Sequence, residues 1–115
     1  MLIFSLVMSA KNTIVVLMTT KNAHEAKKIA GILVKNKLAA CINIVERISS
    51  IYTWQDKIVK GIEALCIIKT TKKRFKSLKN KIESLHSYTV PEIIALPIEL
   101  GSKKYLSWLI KETKA

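Results

Sequence analysis

Apolar positions along this chain switch between two periods, and the switches mark its elements. Ile14 to Thr20 is a continuous, β-branched run, which predicts a strand. From Asn22 the spacing lengthens: Ala26, Ile29, Ala30, Leu33 and Val34 recur as one helical stripe, expected to run to about Lys37. Asn22, three residues before Glu25, comes close to a capping-box start. Ala39 to Ile44 opens a second strand that continues through Ile48, Ile51 and Tyr52 to Trp54. Its apolar parity shifts between Ile44 and Ile48, which predicts a β-bulge near Glu46. Gln55-Asp56 is a short polar break, so Lys57 to Thr70 is expected to return as the partner strand of a long hairpin. Thr71 is a candidate N-cap for a second helix with the stripe Phe75, Leu78, Ile82 and Leu85. Pro91 ends the next loop, Ile93 to Ile98 reads as a fourth strand, and Ser102 can cap a last helix carrying Tyr105, Leu106, Trp108, Leu109 and Ile110.

The order β-α-β-β-α-β plus a C-terminal helix is an α+β, ferredoxin-like arrangement. Its two helices cover one face of the sheet, so a strand with a wet opposite face should alternate. Ile14 to Met18, Leu65 to Ile68 and Ile93 to Leu96 do not alternate; they are apolar at consecutive positions. One short C-terminal helix is too small to cover the remaining face, and a second copy of the chain is the expected cover.

Composition narrows the class. Half of the 115 residues are hydrophobic, enough for one self-sufficient domain, expected over 13–115, with 1–12 as a flexible N-terminal extension. The apolar stretch Met1 to Ala10 is too short to span a bilayer and lacks the positive start of a secretory signal; Met8 is an alternative start. Cys41 and Cys66 both lie in apolar runs and are expected as free thiols, which fits a cytoplasmic protein. The net charge of +12 invites a polyanion hypothesis, but only Arg47 and Arg74 are arginines among the 20 cations. Base readout favours the guanidinium fork, so no specific nucleic-acid partner and no membrane partner is expected, and solvated lysines are the simpler reading. No Ser-His-Asp order, Walker motif, dinucleotide fingerprint or zinc-spaced cysteine pair is present, and Cys41 has no obvious base in its strand. Catalysis is not expected.

Six short runs occur in order: Thr19-Thr20, Leu38 to Ile44, Ser50 to Trp54, Ile68 to Thr71, His86 to Ile93 and Tyr105 to Leu109. Together they resemble the CutA divalent-cation tolerance proteins over roughly Thr13 to Lys111. That resemblance implies a cytoplasmic, non-enzymatic homotrimer of ferredoxin-like subunits, similar in architecture to the nitrogen-regulatory signalling trimers and tied by name to copper and other divalent cations. The chain departs from the family pattern at Asp56, where Gly is usual, at Ser87, where Pro is usual, and at Lys60-Gly61, where acids are usual. Some members place Cys at the position of Met18 and a second His at that of Leu85. His86, Cys41 and Met18 are therefore the expected metal donors, a set whose sulfurs favour Cu(I). His86 can equally cap its helix, and His24 is expected to be exposed.

A second group is expected at a cleft or subunit boundary. Glu92 opens an apolar strand where an unpaired carboxylate is costly, and Lys69 is a natural partner for it; Tyr88 lies nearby in sequence, and Tyr52 and Trp54 near the hairpin tip suit packing against a neighbour. The alternative function is a small-molecule or anion-sensing trimer. It draws on Lys72, Lys73 and Arg74, which crowd positive charge at a helix start where an anion would be welcome.

Overall fold

A computed structural model of the chain describes residues 7–9 and 11–114, with side chains described from Lys11. In chain order the elements are β1 (Val7–Ser9), β2 (Thr13–Thr20), α1 (Ala23–Lys35), β3 (Cys41–Trp54), β4 (Lys57–Thr71), a 3-10 turn (Lys72–Arg74), α2 (Phe75–Leu85), β5 (Ile93–Pro97), β6 (Leu100–Ser102) and α3 (Lys103–Glu112). Four strands form one antiparallel sheet in the order β3-β4-β2-β5, with β2 paired on both sides. The expected α+β, ferredoxin-like architecture is therefore present. β1 pairs with β6 in a separate two-stranded ribbon through Val7 opposite Ser102. Most of the expected N-terminal extension, residues 1–6 and 10, lies outside the described residues.

Local chemistry accounts for the boundaries. The Asn22 side chain accepts the Glu25 N–H and opens α1. The Glu25 carboxylate reaches back to the N–H of Lys21 rather than Asn22, so the box closes one residue further out than its usual form. α1 ends at Lys35, two residues short of the expected Lys37. Lys37 takes a left-handed conformation with φ 59, and the Leu38 N–H bonds back to the Leu33 carbonyl at 2.9 Å, a Schellman-type stop. Thr71 precedes the 3-10 turn but provides no side-chain cap, and α2 proper begins only at Phe75, so the expected Thr71 cap is corrected to a backbone transition. Ser102 does cap α3, accepting the Tyr105 N–H at 3.3 Å.

The β3–β4 hairpin shows the expected bulge. Val45 lies opposite Leu65 and Ile48 opposite Glu63, so Glu46 and Arg47 face a single partner residue, Ala64. Gln55 and Asp56 form the tip with φ 50 and 63, the left-handed pair that a tight two-residue hairpin demands. Asp tolerates this conformation better than a branched residue does, which explains how the hairpin closes without glycine. The hairpin projects beyond the helices and gives the molecule extents of 54 × 25 × 22 Å.

The core lies between the sheet and the paired helices α1 and α2. Ile14, Val16 and Met18 of β2, Ala64, Cys66 and Ile68 of β4, Leu33 of α1 and Ile82 of α2 are all sealed there. The opposite face carries Val15, Leu17, Leu65 and Ile67, each only partly covered, with Ile94 at 52% and Leu96 at 50% exposure on β5. α3 contacts β4 and buries Leu106 and Leu109, and it covers only part of this open face. Leu33→Ala should destabilise the fold by about 2–5 kcal/mol, since Leu33 is fully buried and a cavity would remain. Val34→Ala, one position round the helix and 43% exposed, should change stability by about 0.5 kcal/mol or less. Urea unfolding of both variants checks the contrast.

Candidate functional site

The C-terminal end of β2, the start of α1 and the loop after α2 meet in one polar junction. Thr20 Oγ1 donates to the Asn22 carbonyl at 2.7 Å. Glu25, only 8% exposed, accepts from the Lys21 N–H at 3.2 Å with one oxygen and from the Ser87 N–H at 2.9 Å with the other. Burial pushes this carboxyl up, but the hydrogen bonds from Ser87 and Lys21, with His86 beside it, outweigh burial and hold it below the ordinary range.

His86 closes α2 through its backbone N–H to the Ile82 carbonyl, the capping role its position allowed. Its ring is fully engaged. Nδ1 accepts the Tyr88 N–H at 3.0 Å, which leaves the proton on Nε2 to donate to the Thr19 carbonyl at 2.8 Å. The Tyr88 ring packs 4.8 Å from the imidazole, and its hydroxyl donates to Glu63 Oε2 at 2.7 Å. Burial, and then the Glu63 carboxylate, push the Tyr88 phenol well above its ordinary value. Glu63 itself is 9% exposed and has no cation within ion-pair distance among the described residues.

Beside this junction a groove of about 870 Å³ runs along the open sheet face and up the hairpin. Tyr52, Trp54, Glu63, Tyr88 and Glu92 line it, over a floor that includes Leu17 and Leu65. Four of the five residues expected at a cleft thus meet in one place. Lys69 is the exception. It lies opposite Val15, whereas Glu92 precedes Ile93, which lies opposite Met18. The Lys69–Glu92 pair, expected between subunits, has no counterpart within one chain, where Lys69 donates to Asn43 Oδ1 and lies 3.9 Å from Cys41 Sγ.

The expected metal donors do not assemble within one chain. Met18 is sealed on the helix side of the sheet, opposite Cys66 and Ile93. Cys41 lies opposite Lys69 on the other face, half-covered and adjoining Tyr105 of α3. Three register steps, about 10 Å of strand, and the thickness of the sheet separate the two sulfurs. The His86 ring has no nitrogen left to offer, and among the described residues no three His, Cys, Asp or Glu groups converge. Met18–Cys41–His86 does not fit a single-chain metal site. Cys66 is plain core, its thiol pushed up to about 11 by burial, and His24 is exposed as expected.

Two residues of the site escaped the sequence reading. Glu25 was legible only as a cap, because its bond to Ser87 spans 62 positions. Glu63 carried the same signal as Glu92, a lone acid opening an apolar strand run.

An antiparallel β3-β4-β2-β5 sheet with two helices on one face and a protruding hairpin defines a ferredoxin-like α+β protein. The chain belongs to the CutA1 divalent ion tolerance protein family, whose model matches residues 14–112. It is 48% identical over 99 residues to the divalent-cation tolerance protein CutA of Thermus thermophilus, covering 86% of this chain and 96% of that one. The chloroplastic protein CutA of Arabidopsis thaliana is 46% identical over 102 residues, 89% of this chain; the chain spans 56% of that relative's length. A solved structure of the divalent cation tolerance protein from Thermus thermophilus superposes with TM-score 0.87 at 47% identity, covering 89% of this chain and 99% of that one. No helix of the described residues is long and apolar enough to cross a membrane.

Glu25 supplies a pH signature. Its folded-state value lies below its unfolded one, so the unfolded chain binds the extra proton and stability falls as pH drops from about 4.5 through the folded value. Glu25→Gln should flatten this acid limb, and at neutral pH should cost about 1–3 kcal/mol through weakened hydrogen bonds to buried donors. Urea midpoints from pH 3 to 7 for both proteins test it.

Proposed function

We propose that this chain acts as a non-enzymatic homotrimer in divalent-cation tolerance, working in the cytoplasm. The observation that carries the assembly is the open sheet face, where Ile94, Leu96 and Val45 are each more than two-fifths exposed beside a hairpin bearing Ile51, Tyr52, Trp54 and Ile58 in water. A monomer rarely leaves so much contiguous apolar surface bare. Three copies that lay hairpins across one another's open faces would cover it and bring Lys69 of one copy towards Glu63 or Glu92 of the next. The polar neighbours of Cys41 are Lys69, Asn43 and Tyr105 rather than the His or carboxylate that activates a nucleophilic thiol, which supports a non-enzymatic role. Two free cysteines support a reducing compartment.

Copper is the cation class the reading favours, and Cys41 is the donor it rests on. Its thiol is half-covered on the open face, where copies would meet, whereas Met18 is sealed and His86 is committed to backbone. A second reading, small-molecule sensing, is favoured by the groove. Its anion version is not, because Glu63 and Glu92 line the groove, and Arg74 at the start of α2 is already bound to the Thr113 carbonyl at 2.7 Å.

Native mass spectrometry from fresh lysate should give three times the 13.0 kDa chain mass. A dilution-stable monomer would refute the assembly. A retained small molecule lost on Glu63→Gln would favour the second reading. For the metal, competition titration of the reduced protein with Cu(I) should show binding that Cys41→Ser weakens at least tenfold and His86→Ala leaves within about twofold, with affinity falling as pH drops because the thiolate must form. Equal binding by wild type and Cys41→Ser removes copper from the reading.

A further inference from the structure

The chain's charge is sorted between its two sides. Residues 21–37 and 72–83, which form the helical layer and its flanks, carry eleven Lys or Arg against two Glu. They account for a net nine of the chain's +12. One of the two acids, Glu25, is turned inward and held by Lys21 and Ser87, so it offers the outer surface nothing. The other, Glu83, pairs with Lys79 at 3.0 Å. Glu46 reaches over from β3 to Lys27 at 3.5 Å, and Glu112 from α3 to Lys37 at 3.9 Å. Among the other cations of the layer, seven lysines are exposed and have no ion pair among the described residues: Lys21 and Lys72 at the starts of its two segments, and Lys28, Lys35, Lys73, Lys76 and Lys81.

Of the last five, Lys28, Lys35, Lys76 and Lys81 sit on the outward side of the two packed helices, and Lys73 flanks them in the 3-10 turn. α1 buries Ala26, Ile29, Ala30 and Leu33, which turns Lys28 and Lys35 outward. α2 buries Leu78 and Ile82, which leaves Lys76 and Lys81 to solvent, and the two helices pack side by side. The apolar open face lies on the other side of the sheet, so the lysine layer stays outward whether or not copies assemble through that face. Five unneutralised charges on a rigid layer about two helices wide raise the local potential well beyond that of scattered surface lysines.

We propose that the α1–α2 layer is a docking surface for the phosphodiester backbone of duplex nucleic acid, without sequence readout. Three observations select this occupant. The layer presents Lys rather than Arg, which suits point contacts to phosphates and not bidentate reading of bases. It exposes no Phe, Tyr or Trp, and the single imidazole of His24 is a poor platform for successive stacked bases, which disfavours single strands. Its one exposed large apolar side chain is Val34, too little to insert into a lipid surface, where lysines alone would have to hold the protein. DNA and RNA duplexes offer the same phosphate chemistry, and the test separates them.

Fluorescence anisotropy with a 20-base-pair duplex DNA, a duplex RNA, a single strand of equal length and anionic phosphatidylserine vesicles, each from 50 to 200 mM salt, decides the matter. If all five lysines contact phosphate, duplex affinity should fall with a log–log salt slope near −4.5, about 500-fold across that range. The variant Lys28→Glu, Lys35→Glu, Lys76→Glu should lose duplex binding by at least a hundredfold at 50 mM salt. The control Lys57→Glu, Lys103→Glu, Lys104→Glu changes net charge equally from outside the layer, and should stay within a few-fold of wild type. Circular dichroism melts confirm that each variant is folded. Equal losses in the two variants would reduce the effect to net charge and overturn the proposal. So would vesicle binding stronger than duplex binding, or a preference for single strands. Preference for DNA over RNA, or the reverse, supports the proposal and names the source.

Discussion

Burial on both faces of a four-stranded sheet by helices that reach only one of them is the constraint from which the rest of this molecule follows. β2 is paired on both sides, and its alternate residues face opposite layers. Ile14, Val16 and Met18 seal against α1 and α2, and Val15 and Leu17 point the other way with equal hydrophobicity. A sheet built this way cannot be satisfied by its own chain. The bulge at Glu46-Arg47 sharpens the problem, because it twists the hairpin away from the helices and carries Tyr52, Trp54 and Ile58 clear of any cover the chain could supply. The proposed assembly through the open face, with the groove as a boundary between copies, rests on this one imbalance.

The polar junction at the end of β2 answers a different demand. Three elements end within a few residues of one another there, each leaving backbone donors or acceptors without partners. Glu25 takes the N–H groups of Lys21 and Ser87, and His86 takes the Thr19 carbonyl and the Tyr88 N–H. The histidine that looks most like a metal donor in sequence is therefore spent on holding the loop that presents Tyr88 and Glu92 to the groove. Glu63 and Glu92 reach the groove without an ion pair among the described residues, and Glu63 is bonded there by the Tyr88 phenol.

The sequence made the architecture legible because periodicity is a local signal. The strand and helix order, the bulge inferred from the parity break between Ile44 and Ile48, and the Ser102 cap all depend on neighbours within a few residues. Boundaries slipped where the deciding contact was a backbone conformation, as at Lys37, or a 3-10 turn that postponed a helix, as after Thr71. The site was legible in part. Tyr52, Trp54, Tyr88 and Glu92 converge because the hairpin doubles back beside the 86–92 loop, and their residue types marked them as unusual neighbours for apolar strands. The metal set did not converge, because strand parity places Met18 and Cys41 on opposite faces. That parity can be read from sequence only once the register of β2 against β4 and of β4 against β3 is known.

Charge and hydrophobicity are thus divided by the same sheet. Apolar side chains in excess of what the helices can cover go to the open face, and cations in excess of the acids go to the helical face. A lysine on the open face would be buried by assembly at a cost its partner could offset only by supplying a carboxylate. Of the β4 lysines with open-face parity, Lys57 lies at the hairpin tip and Lys69 towards the C-terminal end of the strand, bonded to Asn43 within its own chain. The groove's acids, Glu63 and Glu92, are on that same face and lack a cation of their own chain among the described residues. The open face therefore holds little positive charge in its central strands, while the helical layer holds the surplus. Such a division lets the two faces act independently: the apolar side can close on copies of itself without bringing the lysine layers together, and like-charge repulsion between those layers favours the assembly that keeps them furthest apart.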